Sequence, residues 1–167
     1  MKCDAVILDL DGTLVDSSGE IHAAINRAFA EEGLATMTRD DVEALVGRGV
    51  RALVERALPK VGGGAKDLDF MVDRFEHHYA QVIGTDATLC PGARPGLEKL
   101  LAAGMPMSVV TNKPRSFTQR LLERLDILRY LKGFVAGDDG FPKKPAGDMV
   151  TAACRMLGAE PARSIMI

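Results

Sequence analysis

The sequence predicts an α/β protein in which an open parallel sheet forms the core and a helical module is inserted into it. The apolar run from Ala5 to Leu8 is typical of a strand buried on both faces of such a sheet, and we expect it to be the central strand. From about residue 88 onward, apolar runs alternate with helical patterns, which implies right-handed crossovers between parallel strands. Residues 17–84 break this alternation and predict consecutive helices.

The core is predicted to comprise residues 1–16 and 85–167. Later apolar runs predict strands over Met105 to Thr111, Gly133 to Gly137 and Ser164 to Ile167. Apolar residues at helical spacing predict helices over Pro95 to Ala103, Ser116 to Leu125 and Ala146 to Leu157. Two of these helices are followed directly by glycine, which commonly ends a helix.

The inserted module, residues 17–84, is predicted to contain four helices. The first carries apolar residues at helical spacing on one face. Thr38 followed by Asp41 resembles a capping box that begins the second helix. The third is predicted over Val50 to Leu58, and the fourth carries apolar residues from Leu68 to Tyr79.

Composition limits the possible partners. The formal net charge is -2 and no block of Lys or Arg occurs, so neither nucleic acid nor an anionic membrane is indicated, and a small molecule is the expected partner. No segment approaches the about 20 apolar residues of a membrane span. Cys3, Cys90 and Cys154 form no CxxC pair, which argues against a disulfide framework and favours a reducing cytoplasm.

Two acidic residues follow the first predicted strand, in the segment Asp9-Leu10-Asp11-Gly12-Thr13. Their spacing directs both carboxylates to one side of an extended backbone, at the sheet edge where open α/β sheets bind ligands. The alternative is an ordinary turn, because Asp and Gly are common turn residues. Two carboxylates beside a phosphate require a compensating cation, and hard oxygen ligands favour Mg²⁺. One carboxylate could then attack phosphorus while the other transfers protons.

The segment from Asp9 to Ser17 resembles the first motif of the haloacid dehalogenase superfamily. The resemblance implies a Rossmann-like core and identifies residues 17–84 as a cap similar to that of the subgroup that includes phosphoglycolate phosphatases. It implies that Asp9 is the nucleophile and a metal ligand. It also implies that Asp11 is the general acid and base and binds Mg²⁺ through its carbonyl, with Gly12 and Thr13 beside the substrate.

The second and third motifs of the superfamily have matches near the ends of later strands. Thr111 matches the hydroxyl residue that binds a phosphoryl oxygen, and Asn112 and Lys113 after it are expected to contact the substrate. The alternative is that Thr111 and Asn112 only end a strand and cap the following helix. Lys144, which precedes a proline, matches the lysine that offsets negative charge on Asp9 and on the phosphoryl group. Lys143 is a competing candidate for that role.

Arg48 lies between Gly47 and Gly49, in a segment that resembles the cap loop with which relatives recognise their substrates. Its planar guanidinium could bind a substrate carboxylate through two hydrogen bonds. The alternative is a solvated arginine in a glycine turn. Arg48 is therefore a candidate for substrate specificity.

A fourth motif, an acidic loop that supplies the remaining Mg²⁺ ligands, should follow the strand predicted over Ser164 to Ile167. We expect the natural chain to continue past Ile167. If it ends there, we expect weak Mg²⁺ binding and poor turnover, and a catalytically impaired protein that binds a phosphorylated ligand becomes the alternative.

The resemblance implies a phosphatase that hydrolyses a small phosphate monoester through an aspartyl phosphate, with 2-phosphoglycolate as the first substrate to test. Asp11 disfavours a dehalogenase, because those relatives generally lack the second carboxylate. A sugar phosphomutase shares both carboxylates and remains an alternative. We expect a cytoplasmic monomer or homodimer.

Overall fold

The computed structural model describes residues 3–167, which form two compact units. The core unit comprises the chain up to Asp16 together with Thr88–Ile167, and the helical unit comprises Ser17–Ala87. None of the helices in residues 3–167 is both long enough and apolar enough to cross a membrane.

The strands are β1 (Ala5–Leu8), β2 (Val15–Asp16), β3 (Thr88–Leu89), β4 (Met107–Val110), β5 (Gly133–Val135) and β6 (Ser164–Met166). The α-helices are α1 (Ser18–Glu31), α2 (Arg39–Glu43), α3 (Val50–Ala57), α4 (Leu68–Val82), α5 (Ala93–Ala102), α6 (Arg115–Arg124) and α7 (Asp148–Leu157). Short 3₁₀ turns cover Leu58–Val61, Leu128–Tyr130 and Pro161–Arg163.

The main sheet of the core unit is parallel, with the strand order β5-β4-β1-β6. Every residue of β1 is buried, because β1 lies between β4 and β6 and its apolar side chains leave the sheet on both faces. Helix α7 covers one face, where Met149 and Cys154 are buried in a cluster with Ile7, Val110 and Val135. The predicted α/β class with a parallel sheet is confirmed, and β1 is an internal strand as expected.

A two-residue antiparallel ribbon between β2 and β3 was not among the predicted elements. Val15 pairs with Leu89 and Asp16 with Thr88, at the positions where the chain leaves the core unit and returns to it. Two residues are too few to produce a periodic pattern in the sequence, so only the pairing reveals this ribbon.

The helical unit is built around α1 and α4. Ile25 and Phe29 of α1 are fully buried, and the rings of Phe75 and Tyr79 on α4 stack with their centroids 5.5 Å apart. This packing requires large apolar residues at helical spacing on both helices, which is the pattern from which the helices were predicted. Truncating one such side chain to alanine should cost about 3–5 kcal/mol.

Candidate active site

The candidate site lies at the carboxyl ends of β1, β4 and β5. Parallel strands end at the same edge of a sheet, so the loops that follow them are neighbours even though they are distant in the sequence. Asp9 and Asp11 follow β1, Thr111 to Lys113 follow β4, and Lys144 lies in the loop after β5.

Asp9 forms an ion pair with Lys144, whose Nζ lies 2.6 Å from Asp9 Oδ1. The same oxygen accepts a hydrogen bond from the backbone N–H of Leu10 at 2.7 Å. Asp9 retains 32% side-chain exposure and Lys144 only 16%, so the carboxylate is open to a ligand while its cation is largely enclosed. Lys143, the competing candidate, is exposed.

Asp11 forms a second ion pair, in which Lys113 Nζ lies 3.1 Å from Asp11 Oδ1. Both side chains are well enclosed, with 13% exposure for Asp11 and 5% for Lys113. The structure directs the ammonium of Lys113 to the second carboxylate, and the assignment of Lys113 to the substrate remains a prediction. Each of the two acidic residues therefore has its own lysine.

The loop between the two acidic residues and β2 is held by backbone hydrogen bonds. The carbonyl of Leu10 accepts from the N–H groups of Thr13, Leu14 and Val15 at 2.9–3.3 Å. Gly12 is exposed at the tip with φ +80, a conformation that side-chain-bearing residues rarely adopt. Gly12 and Thr13 thus form the turn beside Asp11, and their assignment to the substrate remains a prediction.

Thr111 is 2% exposed, and its Oγ1 accepts the N–H of Lys113 at 3.2 Å. Its own N–H donates to the carbonyl of Val135 at 3.0 Å, which ties the end of β4 to the end of β5. In this structure the hydroxyl therefore stabilises the turn after β4. Its assignment to a phosphoryl oxygen remains a prediction.

Asn112 is 3% exposed, and its side-chain amide bonds to the backbone of Lys144 at two points. Gly137, in the loop after β5, passes so close to Asn112 that a Cβ at Gly137 would lie 2.2 Å from the Asn112 carbonyl oxygen. Only glycine permits this approach. The role of Gly137 was missed, because nothing in the local sequence shows which backbone it touches.

Two acidic residues of the loop after β5 bind Arg115 of α6. Asp138 Oδ1 accepts the N–H of Arg115 at 2.7 Å, and Asp139 forms two hydrogen bonds with the Arg115 guanidinium at 2.5 and 2.6 Å. Asp139 also accepts the N–H of Ala136 at 2.9 Å. The Arg115 guanidinium holds the pKa of the Asp139 carboxyl below its usual value, so this residue stays ionised as an anchor of the loop.

Cys90, which follows β3, is a poor nucleophile in this setting. Burial raises the pKa of its thiol, and the negative charges of Asp16 and Asp11 raise it further. A thiol with a raised pKa remains protonated at neutral pH, and the thiolate is the reactive form. Cys90 therefore does not compete with Asp9, whose role as nucleophile remains a prediction.

Asp9 and Asp11 could supply the protein's share of a Mg²⁺ site. Their donors would be the Asp9 carboxylate and the Asp11 backbone carbonyl, and Mg²⁺ in phosphate-processing sites is commonly held by one or two carboxylates together with phosphate oxygens and water. Within residues 3–167 no group of three or more His, Cys, Asp or Glu side chains has the arrangement of a metal site. The two residues offer hard oxygen donors of the kind that Mg²⁺ prefers, and Mg²⁺ binding remains a prediction.

Arg48 belongs to the helical unit and is exposed in the turn between α2 and α3. Gly47 and Gly49 on either side of it have φ values of +108 and +87, so both glycines are needed to form this turn. The assignment of Arg48 to a substrate carboxylate remains a prediction.

Residues 6–167 match the sequence model of the family described as haloacid dehalogenase-like hydrolase. The chain is 35% identical over 168 residues to "Phosphoglycolate phosphatase, plasmid" of Cupriavidus necator strain H16, an alignment that covers 100% of this chain and 73% of that protein. It is 34% identical over 163 residues to a phosphoglycolate phosphatase of Agrobacterium fabrum strain C58, with 96% and 70% of the two chains covered.

A solved structure described as a predicted phosphoglycolate phosphatase from Haemophilus somnus 129pt superposes with a TM-score of 0.91 and 25% identity, over 99% of this chain and 76% of that one. The resemblance that the segment around Asp9 suggested is confirmed. The chain belongs to the haloacid dehalogenase-like hydrolase family.

Proposed function

We propose that this chain is a phosphatase that hydrolyses small phosphate monoesters, with 2-phosphoglycolate as its main substrate and Asp9 as its nucleophile. The observation that carries the proposal is the Asp9 carboxylate, which is partly open at the sheet edge and paired with Lys144 at 2.6 Å. The choice of substrate rests on the two relatives, which are named phosphoglycolate phosphatases and are 34–35% identical to this chain.

In the first half of the proposed reaction, Asp9 attacks phosphorus and the bond from phosphorus to the ester oxygen breaks. Lys144 and the Leu10 N–H both donate to Asp9 Oδ1, so we assign the attack to Oδ2. Asp11, which takes up a proton from solvent when the negatively charged ester binds, gives that proton to the leaving alkoxide. In the second half, Asp11 takes a proton from water, and the resulting hydroxide attacks phosphorus, which releases inorganic phosphate and restores Asp9.

The remaining residues neutralise charge and orient the phosphoryl group. Lys144 offsets negative charge on Asp9 and on the phosphoryl oxygens, and Thr111 lies at the end of the neighbouring strand to contact one of those oxygens. A Mg²⁺ ion held by Asp9 and Asp11 would reduce the repulsion between the two carboxylates and the phosphate. We assign Arg48 to the preference for substrates that carry a carboxylate, and a reducing compartment suits the three free thiols.

A panel of phosphate esters tests the proposal. Phosphate release is measured with Mg²⁺ from 2-phosphoglycolate, glucose 6-phosphate and p-nitrophenyl phosphate, and we expect the highest kcat/KM for 2-phosphoglycolate. Equal values across the panel would remove the substrate assignment. Transfer of phosphate to a second sugar hydroxyl, with little release, would indicate a phosphomutase instead.

Two variants test the assigned residues. Asp9→Asn should lower kcat by at least about 10⁴-fold, since a neutral amide cannot attack phosphorus. Asp4→Asn is the matched control, because Asp4 pairs with Arg163 outside the candidate site. Arg48→Ala should lower kcat/KM for 2-phosphoglycolate more than for p-nitrophenyl phosphate, whereas Arg51→Ala, which alters another exposed arginine, should not change that ratio.

A further inference from the structure

We propose that Asn112 is a positioning residue, which holds the backbone of Lys144 so that the lysine ammonium reaches Asp9. The sequence interpretation placed Asn112 at the substrate, whereas its contacts point to the loop that carries Lys144. The kinetic consequence of this inference rests on the proposed function, but its structural part does not.

The contact between the two residues is reciprocal. The N–H of Lys144 donates to Asn112 Oδ1 at 2.9 Å, and Asn112 Nδ2 donates to the carbonyl of Lys144 at 3.0 Å. One amide thus bonds both backbone groups of Lys144, which fixes the orientation of the peptide groups on either side of that residue. An aspartate at this position would keep the acceptor and lose the donor.

Lys144 lies in a loop whose backbone is not fixed by a helix or a strand, so a side-chain contact has to position it. Residues 136–147 form neither helix nor strand. The early part of the loop is anchored by Asp139 on Arg115, five residues before Lys144. Between that anchor and α7, the amide of Asn112 fixes the backbone from which the Lys144 side chain extends to Asp9, where Nζ and Oδ1 are 2.6 Å apart.

Asn112 is itself rigidly placed. It directly follows Thr111, whose N–H donates to Val135 in the neighbouring strand, and Gly137 presses against its backbone. The N–H of Gly137 also donates to the carbonyl of Lys113 at 2.9 Å. A buried side chain on so constrained a backbone can position an irregular loop, and a displacement of about 1 Å at a reacting group can cost about 10²-fold in rate.

Hydrogen exchange tests the structural part without any activity. The Lys144 amide proton is bonded to Asn112, so Asn112→Ala should accelerate its exchange with solvent at least about 10-fold, because a broken hydrogen bond lowers the local opening free energy. The amide protons of β4 serve as internal references. An unchanged exchange rate at Lys144 would overturn the inference. If Asn112→Ala does not fold, Asn112→Leu replaces it, since leucine is similar in size and offers the Lys144 N–H no acceptor.

A double-mutant cycle tests the kinetic part on 2-phosphoglycolate. Asn112→Ala should lower kcat about 10- to 100-fold with KM changed less than about two-fold. In the Lys144→Ala background the same change should alter kcat less than about two-fold, because the residue through which Asn112 acts is gone. Two outcomes would overturn the inference in favour of direct substrate binding. One is the same fold-loss of kcat on Asn112→Ala in both backgrounds, and the other is a rise in KM with kcat unchanged.

The helical unit supplies a matched control. Asn26 bonds the N–H and the carbonyl of Met37 at 2.8 and 2.9 Å, the same reciprocal contact in a different loop. Asn26→Ala should leave kcat unchanged, so an equal fall in both variants would overturn the inference. A wild-type protein that releases no phosphate from any ester would contradict the proposed function, while the exchange of the Lys144 amide would still decide the structural part.

Discussion

The two ion pairs of the candidate site in the core unit are much less exposed than two surface ion pairs of the helical unit. In the core unit, the pairs Asp9–Lys144 and Asp11–Lys113 meet at one sheet edge with side-chain exposures between 5% and 32%. In the helical unit, the Arg39–Glu43 pair has exposures of 49% and 47%, and Arg51 and Asp69 are more exposed still. Exposed pairs contribute little to stability, whereas enclosed pairs are costly to break. The enclosed charges of the core unit are therefore the ones for which a functional role is expected.

Glu20 of the helical unit is also buried, but it binds backbone groups instead of a charged side chain. It is 2% exposed, and its Oε1 accepts the backbone N–H groups of Asp86 and Ala87 at 2.8 and 2.9 Å. These contacts join the first turn of α1 to the end of the same unit. The buried carboxylate of Glu20 therefore stabilises the fold of the helical unit.

Among variants of the charged partners, the largest expected effect separates two adjacent lysines. Lys144→Ala should lower kcat about 10²- to 10³-fold, because the cation beside Asp9 and the phosphoryl group is lost. Lys143→Ala removes the same side chain from an exposed position and should change kcat less than about two-fold. Phosphate release under saturating substrate measures both. Comparable losses would show that the enclosed position of Lys144 has no special role.

The second effect compares an enclosed ion pair with a more exposed one. Lys113→Met should lower the free energy of unfolding by about 3 kcal/mol, because Asp11 is left enclosed without its cation. Lys66→Met breaks the pair with Glu32, whose side chains are 36% and 20% exposed, and should cost less than about 1 kcal/mol. Urea denaturation measures both values. Equal costs would contradict the contrast between the two ion pairs.

A third, smaller effect concerns Glu20. Glu20→Ala should lower the free energy of unfolding by about 2 kcal/mol, since two backbone N–H groups lose their acceptor. Glu20→Gln keeps an oxygen acceptor and should cost less. Glu55→Ala, at an exposed position of α3, is the control and should change stability by less than about 0.5 kcal/mol. A loss for Glu20→Ala no larger than that of the control would rule out the architectural role.

The smallest effect depends on pH. The Arg115 guanidinium lowers the pKa of Asp139 in the folded protein, so the stability that this contact contributes is fully present above the unfolded pKa of about 3.9 and is lost as pH falls toward the folded value. Asp139→Asn should therefore cost about 1 kcal/mol at pH 7 and less at pH 3, since Arg115 is half exposed.

Urea denaturation at the two pH values measures this difference. Asp69→Asn, at a pair exposed on both sides, should cost little at either pH. A cost for Asp139→Asn that grows as the pH falls would contradict the assigned sign.

The sequence alone was sufficient for features whose signals are local. Burial of β1 on both faces follows from four consecutive apolar residues, and Asp9 and Asp11 stand out because two carboxylates directly follow that run. The helices of the helical unit follow from apolar residues spaced at 3.6 per turn. These signals lie within a few residues of one another, so the fold class and the first motif were accessible without coordinates.

Only the tertiary structure determined how the site residues are paired. Lys113 contacts Asp11, Lys144 contacts Asp9, and Asn112 bonds the Lys144 backbone, although each pair is far apart in the sequence. The order of the parallel strands brings their loops together, and the close approach of Gly137 sets the spacing between two of those loops. No periodicity encodes such contacts, because they depend on the paths of separate loops across one edge of the sheet.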